Sequence, residues 1–114
     1  MTRYVVTSEM VMRPSYARAI PRPWRHTARL FVALGDEHRQ RILLMFEPGE
    51  RLNVAQIAGA STLSRSAVTH HLRVLRDAGV LKREKIGKEA WFWPDLDAIR
   101  GGLASVLDFL GERG

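Results

Sequence analysis

The sequence predicts a single, mainly α-helical domain with one small β-hairpin, an α+β fold. Five stretches carry helical apolar patterns, and most of them are bounded by a capping residue or a glycine. A sixth stretch is basic in its first half and aromatic in its second, with Gly87-Lys88 between the halves as a hairpin turn. A chain of 114 residues, 46% hydrophobic and 26% charged, has the size and composition of one globular domain.

Residues 1–23 are predicted to form a basic N-terminal extension, and residues 24–114 the domain itself. Pro14, Pro21 and Pro23 interrupt the extension, and no apolar pattern persists in it. Its apolar side chains could pack against a partner as a short helix or strand; they are Val5, Val6, Met10 and Met12.

Positive charge is concentrated in the first third of the chain. The sequence has 18 Lys and Arg against 12 Asp and Glu, a net charge of +6 and a pI near 10.7. Residues 1–35 hold six arginines and one glutamate, a net +5. A small domain this basic attracts polyanions such as nucleic acid or anionic membrane. The arginines could equally serve only to solubilise the extension, and composition leaves both interpretations open.

Two helices are predicted to open the domain. The first presents an apolar face at i, i+4 and i+7 spacing and ends at Gly35; the face consists of Trp24, Ala28, Phe31 and Leu34. Asp36 would cap the second helix, with Glu37 in its first turn. Apolar residues 42–46 wrap most of the way around this helix, so we expect them to be buried.

Two further helices follow at helix-turn-helix spacing. Asn53 would cap a short helix over residues 54–59, with Ile57 and Ala58 facing inward. After a four-residue connection, Ser64 would cap a helix that ends at Ala78, with Gly79 after it. Helices joined this tightly favour a helix-turn-helix.

The helix after Ser64 separates into two faces at 100° per residue. The first face is apolar except for one histidine and holds residues 67, 68, 71, 72, 74, 75 and 78. The second has no large apolar side chain and holds Arg65, Ser66, Thr69, His70, Arg73, Arg76 and Asp77. Guanidinium and hydroxyl groups are what a helix in the major groove uses, although an ordinary solvated face has the same composition.

The hairpin predicted next would make this a winged helix-turn-helix. Residues 80–86 and 89–93 form its strands, and Pro94 ends it. Its bases are Lys82, Arg83, Lys85 and Lys88, opposed by Glu84 and Glu89. A basic hairpin after such a helix suits a phosphate backbone.

The last predicted helix, from Leu96 to about Gly111 after an Asp95 cap, presents a narrow apolar seam. The seam and the face of the first helix either close the core of a monomer or form a dimer interface made of Trp24, Ala28, Phe31, Leu96, Ile99, Leu103, Val106, Leu107 and Leu110. Gly101-Gly102 inside the helix indicates a bend or a close approach.

The four histidines do not form an evident ligand set. His70 lies at the edge of the polar face, whereas His71 lies in the apolar stripe and is predicted to be a packed, satisfied core histidine. Adjacent helical residues point about 100° apart, so these two cannot chelate one ion together. His26 and His38 are isolated in the sequence.

Two segments resemble the ArsR/SmtB family of winged-helix repressors. Residues 33–43, ALGDEHRQRIL, are similar to the family's A-L-A-D-x-x-R-x-x-I-L. Residues 63–81, LSRSAVTHHLRVLRDAGVL, are similar to its L-S-Q-S-x-[VI]-S-H-H-L-x-x-L-x-x-A-G-L-[VI]. The resemblance covers residues 24–110 and implies a homodimeric repressor that binds a partly palindromic operator of double-stranded DNA. It places Ser64, Arg65, Ser66, Thr69, His70 and Arg73 on the DNA-reading helix and Arg83, Lys85 and Lys88 on the wing.

Departures from the resemblance bear on the inducer. Metal-sensing members carry cysteine pairs, whereas this sequence has no cysteine, and its last helix offers Asp97, Asp108 and Glu112 but no histidine. We therefore expect no metal site, no catalytic residues and no cofactor. An unknown small molecule remains a possible inducer, with Trp24, Phe31, Trp91 or Trp93 near its pocket unless these aromatics are simply core.

Three alternative functions are weighed against a repressor. A winged-helix module could dock another protein, or the basic extension could mark an architectural nucleic-acid binder without sequence preference. An enzyme is disfavoured because no nucleophile, phosphate-binding loop or carboxylate pair is evident. No stretch is apolar enough for a membrane span and no secretory signal is recognisable, so a cytoplasmic location is expected.

Overall fold

The computed structural model describes residues 4–6 and 12–111, and it has the predicted mainly α architecture with a hairpin. The helices are α1 (Arg22–Leu34), α2 (Glu37–Leu43), α3 (Val54–Ala60), α4 (Arg65–Asp77) and α5 (Leu96–Phe109). The strands are β1 (Tyr4–Val6), β2 (Met12–Pro14), β3 (Leu52–Asn53), β4 (Leu81–Ile86) and β5 (Glu89–Pro94). Across these residues, every helix is too short or too polar to cross a membrane.

The N-terminal extension contains two of the five strands. β1 and β2 pair antiparallel, with Tyr4 opposite Pro14 and Val6 opposite Met12. Of the apolar residues expected to form a short helix or strand, Met10 lies outside the described residues, as does Glu112 at the other end of the chain. α1 begins two residues before the predicted start, with Pro21 at its N-cap and Pro23 in its first turn, where a missing N–H costs nothing.

Local capping explains the starts of the other four helices. The Asp36 carboxylate accepts hydrogen bonds from the backbone N–H groups of His38 and Arg39, at 2.8 and 3.1 Å. Asn53 accepts the N–H of Gln56, whose side chain accepts the N–H of Asn53 in return, which completes a capping box. Ser64 and Asp95 cap α4 and α5, as predicted.

The expectation that residues 42–46 form a buried block is wrong in part. Ile42 is buried, but α2 ends at Leu43 and the side chain of Leu44 is 84% exposed. Because the helix stops, its successive residues no longer wrap around one axis. Met45 and Phe46 return toward the core and are partly buried against it.

The hairpin β4–β5 carries a third strand that the sequence pattern did not reveal. β3 pairs antiparallel with β5, so the sheet order is β3-β5-β4, with Leu52 opposite Phe92. The turn at Gly87 has φ +62°, which glycine adopts without strain. Because β3 leads directly into α3, this pairing connects the middle of β5 to the helix-turn-helix.

α1 and α5 run antiparallel and pack closely at a glycine. The rings of Trp24 and Phe109 meet edge to face, with centroids 5.6 Å apart. Thr27 donates its hydroxyl to the carbonyl oxygens of Pro23 and Gly102. A Cβ at Gly102 would lie 2.6 Å from Leu30 Cδ2, so the close approach expected for the glycine pair occurs at Gly102.

Candidate nucleic-acid interface

Helix α4 has the two faces that its sequence predicts. Its apolar side packs into the core through residues that are fully or partly buried: Ala67, Val68, His71, Leu72, Val74, Leu75 and Ala78. Its other side is exposed along the whole length of the helix: Arg65, Ser66, Thr69, His70, Arg73, Arg76 and Asp77. Since α3 packs against the inner side, α4 presents its polar side outward as the second helix of a helix-turn-helix.

Hydroxyl groups at the start of α4 form hydrogen bonds within the helix and its cap. Ser64 Oγ accepts the N–H of Ala67 at 3.2 Å and lies 3.2 Å from Ser66 Oγ. Thr69 donates its hydroxyl to the carbonyl oxygen of Arg65 at 2.9 Å. Arg65, His70 and Arg73 line a shallow groove with Ser66 and Thr69, and no carboxylate lines it.

A cleft of about 320 Å³ separates α4 from the hairpin and brings three guanidinium groups together. Its lining includes Thr69, Arg73 and Arg76 from α4 and Arg83 from β4, above an apolar floor of Val54, Ala90 and Phe92. Arg76 was placed on the polar face by its helical position but was absent from the predicted site. Its role in the cleft depends on where the hairpin packs, which helical periodicity does not report.

The two faces of the hairpin differ in charge. Arg83 and Lys85 lie opposite Phe92 and Ala90 in the register, on the face that lines the cleft. The acids Glu84 and Glu89 lie on the other face by strand alternation. Each acid accepts a hydrogen bond from a side chain in or next to β3: Arg51 donates to Glu84 at 3.5 Å and Asn53 donates to Glu89 at 3.3 Å.

Within the part of the chain that the structure describes, the bases on the α4 side of the hairpin, Arg83 and Lys85, form no ion pair. Arg51 also stacks over Trp93, with its guanidinium carbon 3.8 Å from the ring centroid, so it belongs to the outer face. Lys88 is exposed in the hairpin turn itself. The structure therefore brings Arg83 to the polar face of α4, and Lys85 and Lys88 extend the basic surface toward the hairpin tip.

The predicted dimer residues lie elsewhere, on α1 and α5. Ile99 and Val106 face inward and are partly buried, whereas the outer edge of the seam is exposed: Leu96, Leu103, Leu107 and Leu110. Trp24 is half-buried and Ala28 and Phe31 are exposed, so α1 contributes to the same uncovered apolar face. The single seam predicted from the sequence thus divides into an edge that packs within the chain and an edge that is exposed.

The histidines near α4 form a packed group. Arg39 Nη1 lies 3.3 Å from His71 Nδ1, and the His38 and His71 rings have centroids 5.8 Å apart. Burial is the main factor that lowers the pKa of His71; Asp36 opposes this and Arg39 adds to it. The Arg39 N–H that donates to Asp36 is the largest contribution to a lowered pKa of that carboxyl. His71 is satisfied as predicted, although it is half-buried rather than buried. Among the described residues, no three His, Cys, Asp or Glu side chains are placed to hold one metal ion.

Comparisons with known proteins connect this geometry to a family. The sequence pattern of "Bacterial regulatory protein, arsR family" matches residues 36–83. The chain is 35% identical to the transcriptional repressor SmtB homolog of Synechocystis, covering 75% of this chain and 64% of that protein. It is 33% identical to the HTH-type transcriptional regulator YbzH of Bacillus subtilis, covering 68% and 91%. A cadmium resistance regulatory protein CadC homolog of Staphylococcus aureus is 30% identical, and the chain spans 60% of its length.

Solved structures agree with the sequence comparisons. An ArsR-like transcriptional regulator from Rhodococcus superposes with a TM-score of 0.68 at 26% identity, covering 78% of this chain and 82% of that one. The transcriptional repressor PagR of Bacillus anthracis superposes with a TM-score of 0.58 at 27% identity, covering 74% and 94%. The predicted resemblance and the winged-helix fold are confirmed, and the relatives are regulators rather than enzymes, as expected. This chain belongs to the arsR family of bacterial regulatory proteins.

Proposed function

We propose that this chain is a sequence-specific transcriptional repressor that binds double-stranded DNA as a homodimer. One observation carries the proposal: the exposed face of α4 and the hairpin residue Arg83 converge on a cleft that no carboxylate lines. A polar helix flanked by arginines fits the major groove, where guanidinium groups donate to guanine and hydroxyls reach bases or phosphates. The names of the relatives, several of them repressors, support the same assignment.

We divide the contacts between the helix and the hairpin, which acts as the wing. Residues assigned to the major groove and its edge phosphates are Ser64, Arg65, Ser66, Thr69, His70 and Arg73. Residues assigned to the backbone beside it are Arg76, Arg83, Lys85 and Lys88. The oxygen of Ser64 already accepts the N–H of Ala67 as the helix cap. Ser64 would therefore contact a phosphate by donating its hydroxyl hydrogen.

The open apolar face of α1 and α5 supports the proposed homodimer. Phe31 is 49% exposed, and Leu103 and Leu107 are 43% and 50% exposed, on two helices that pack side by side. Apolar side chains grouped in this way are expected to be covered by another surface. A second copy is the natural occupant because a two-fold dimer would present two α4 helices to a partly palindromic operator.

The inducer is proposed to be something other than a thiol-bound metal, because the sequence contains no cysteine. We propose that a small molecule with both apolar and polar groups binds in a cavity of about 440 Å³ between the α2–β3 connection and the start of α5, whose lining includes Glu47, Glu50 and Arg51. Phe46, Trp93 and Pro94 line this cavity, so Trp93 is the one of the four suggested aromatics that borders it. A repressor that acts on bacterial DNA works in the cytoplasm, and we place the chain there.

The experiment that tests the function is fluorescence anisotropy with two duplexes, across a range of salt concentrations. One duplex comes from upstream of the chain's own gene, and the other is its scrambled counterpart. We expect a preference of about a thousandfold for the natural duplex. Equal affinity that falls steeply with salt would favour the architectural binder, and no binding even at low salt would favour the protein-docking module.

Single substitutions on α4 then test the assignment of the helix. Arg65→Ala and Arg73→Ala should each weaken binding to the natural duplex by roughly tenfold or more, the value of a lost bidentate base contact. Light scattering should show an intact dimer for both variants. Binding equal to wild type for either variant would remove that side chain from the interface.

A further inference from the structure

Helix α1 carries a row of three arginines along one face. Arg22, Arg25 and Arg29 are exposed and are spaced i, i+3 and i+7, which places them on one face of the helix. None of the three takes part in an ion pair in the part of the chain that the structure describes. We call them the α1 arginine row.

This arrangement is electrostatically unfavourable for the isolated chain. Like charges at i, i+3 and i+4 repel one another, and cations in the first turns of a helix oppose its dipole. The first turn of α1 contains no acidic residue that could offset them. A polyanionic partner would remove this repulsion.

The position of the row relative to α4 is fixed by local packing. The imidazole of His26 lies 3.3 Å from the place where a Cβ on Gly79 would be, so α1 crosses the end of α4. Arg29 and Asp77, which is at the edge of the polar face of α4, are the two charged residues of a groove of about 410 Å³ whose other lining is apolar: Ala28, Val32, Val74 and Ala78. One end of the α1 arginine row, Arg29, therefore lies beside the polar face of α4, and the row continues past the last turn of that helix.

The row also borders the open apolar face on its other side. Successive residues of α1 point to different neighbours: Thr27 and Leu30 face α5 and the core, and Phe31 belongs to the open face. Ala28 lies between Phe31 and the row and lines the groove at the end of α4. At 100° per residue the row lies between that open face and α4. In a two-fold dimer built on the open face, the two rows would lie between the two α4 helices.

We propose that the α1 arginine row binds phosphates of the operator on the two-fold side of each α4 helix. This inference rests on the proposed DNA-binding function and adds a third element, besides α4 and the wing, to the interface. Arg29 lies seven residues after Arg22, a rise of about 10 Å along the helix. That length matches about three successive phosphate-to-phosphate intervals of one strand, at about 3.4 Å each along the duplex axis.

Salt dependence of DNA binding tests the inference directly. Arg25→Gln with Arg29→Gln removes two positive charges per protomer, and Arg41→Gln with Arg100→Gln removes the same charge from arginines paired with Glu37 and Asp97. The probe is a random duplex of about 40 base pairs, long enough for two half-sites a helical turn or two apart. Each phosphate neutralised contributes about 0.9 to the slope of log K against log salt. The Arg25 and Arg29 variant should therefore lower the slope by about 3 to 4 per dimer, and the control variant should leave it nearly unchanged.

Three further results decide between the possible explanations. Arg25→Lys with Arg29→Lys should retain the wild-type slope, because lysine also neutralises phosphate. A slope that stays at the wild-type value in the Gln variant, or that falls equally in the control variant, would overturn the inference while leaving the proposed function intact. If the wild-type chain binds neither this duplex nor the natural one at low salt, both the proposed function and the inference fail.

The position of the contact is tested on a duplex that binds specifically. Hydroxyl-radical footprints of the Arg25→Gln, Arg29→Gln variant should lose protection between the two half-sites and keep protection at the outer ends. Loss at the outer ends instead would place the row on the wing side and contradict the geometry.

Discussion

Arg39 Nη1 lies 3.3 Å from His71 Nδ1, so a side chain in the first turn of α2 is hydrogen-bonded to the middle of α4. The same guanidinium donates to the carbonyl oxygens of Ala33 and Val32 at the end of α1, at 2.8 and 3.2 Å. A guanidinium only donates, so His71 Nδ1 accepts and must be unprotonated in this arrangement. Three helices thus meet at a bond that requires a neutral histidine.

The bond predicts how the stability of the protein depends on pH. The pKa of His71 is lowered from 6.5 by burial, with Arg39, His70 and His38 acting in the same direction and Asp36 against it. The unfolded chain then binds a proton before the folded chain does. Stability should be constant above about pH 7.5 and fall as the pH drops through about 6.5, until it levels off below the folded pKa.

Urea unfolding at about pH 7.5 and about pH 5.5 checks this dependence. The wild-type chain should lose stability at the lower pH. His71→Gln should lose less stability, because it lacks the imidazole that gains a proton on unfolding; the comparison is between the two losses, since the other three histidines are present in both proteins. Asp36 titrates at lower pH and does not enter this window. An equal loss in the two proteins would exclude His71 as the responsible group.

Two adjacent glycines in α5 predict opposite effects of alanine. Gly101 faces open space, so Gly101→Ala should raise the free energy of unfolding by about 1 kcal/mol through helix propensity. A Cβ at Gly102 would lie 2.6 Å from Leu30 Cδ2, and Leu30 is itself buried in the core. Gly102→Ala should therefore be less stable than Gly101→Ala by about 1–3 kcal/mol. Unfolding at one fixed protein concentration measures the difference, and equal stability would show that Leu30 can move aside.

The features of the fold that depend on neighbours along the chain could be predicted from the sequence alone. The limits of α4 could be predicted because Ser64 caps it, Gly79 ends it, and its apolar residues recur at helical spacing. The wing could be predicted for the same reason, from its turn and its strand-forming residues. These signals act over a few residues and need no knowledge of the tertiary structure.

The features that sequence missed depend on contacts between distant segments. β3 has only two residues and is a strand only because β5 pairs with it. Arg76 joins the cleft only because Arg83 approaches it from the hairpin. Leu44 is apolar and helical in pattern, yet the turn after Leu43 leaves it in solvent. No periodicity within one segment could have indicated these contacts.

The two faces of the wing predict different effects for neighbouring bases. Arg83 faces the cleft with Arg73 and Arg76, whereas Lys82 lies on the opposite face, across from Trp93. Arg83→Gln should weaken DNA binding and lower the salt slope by about 2 for a dimer, at about 0.9 per phosphate. Lys82→Gln removes the same charge and should have a much smaller effect. Anisotropy titrations at several salt concentrations compare them, and equal effects would mean that only net charge matters.

The open face of α1 and α5 predicts that two charged substitutions abolish the dimer. Leu103 and Leu107 are exposed one turn apart on α5, so Leu103→Glu with Leu107→Glu would bury two unpaired carboxylates in a dimer built on this face. The variant should be monomeric by light scattering and should lose most of its affinity for the operator, because two linked α4 helices bind more tightly than one. Leu44→Glu is the matched control, since Leu44 is exposed but lies directly after α2, away from this face; it should remain dimeric. A double variant that is still dimeric at the concentrations used for the wild type would place the interface on another surface of the chain.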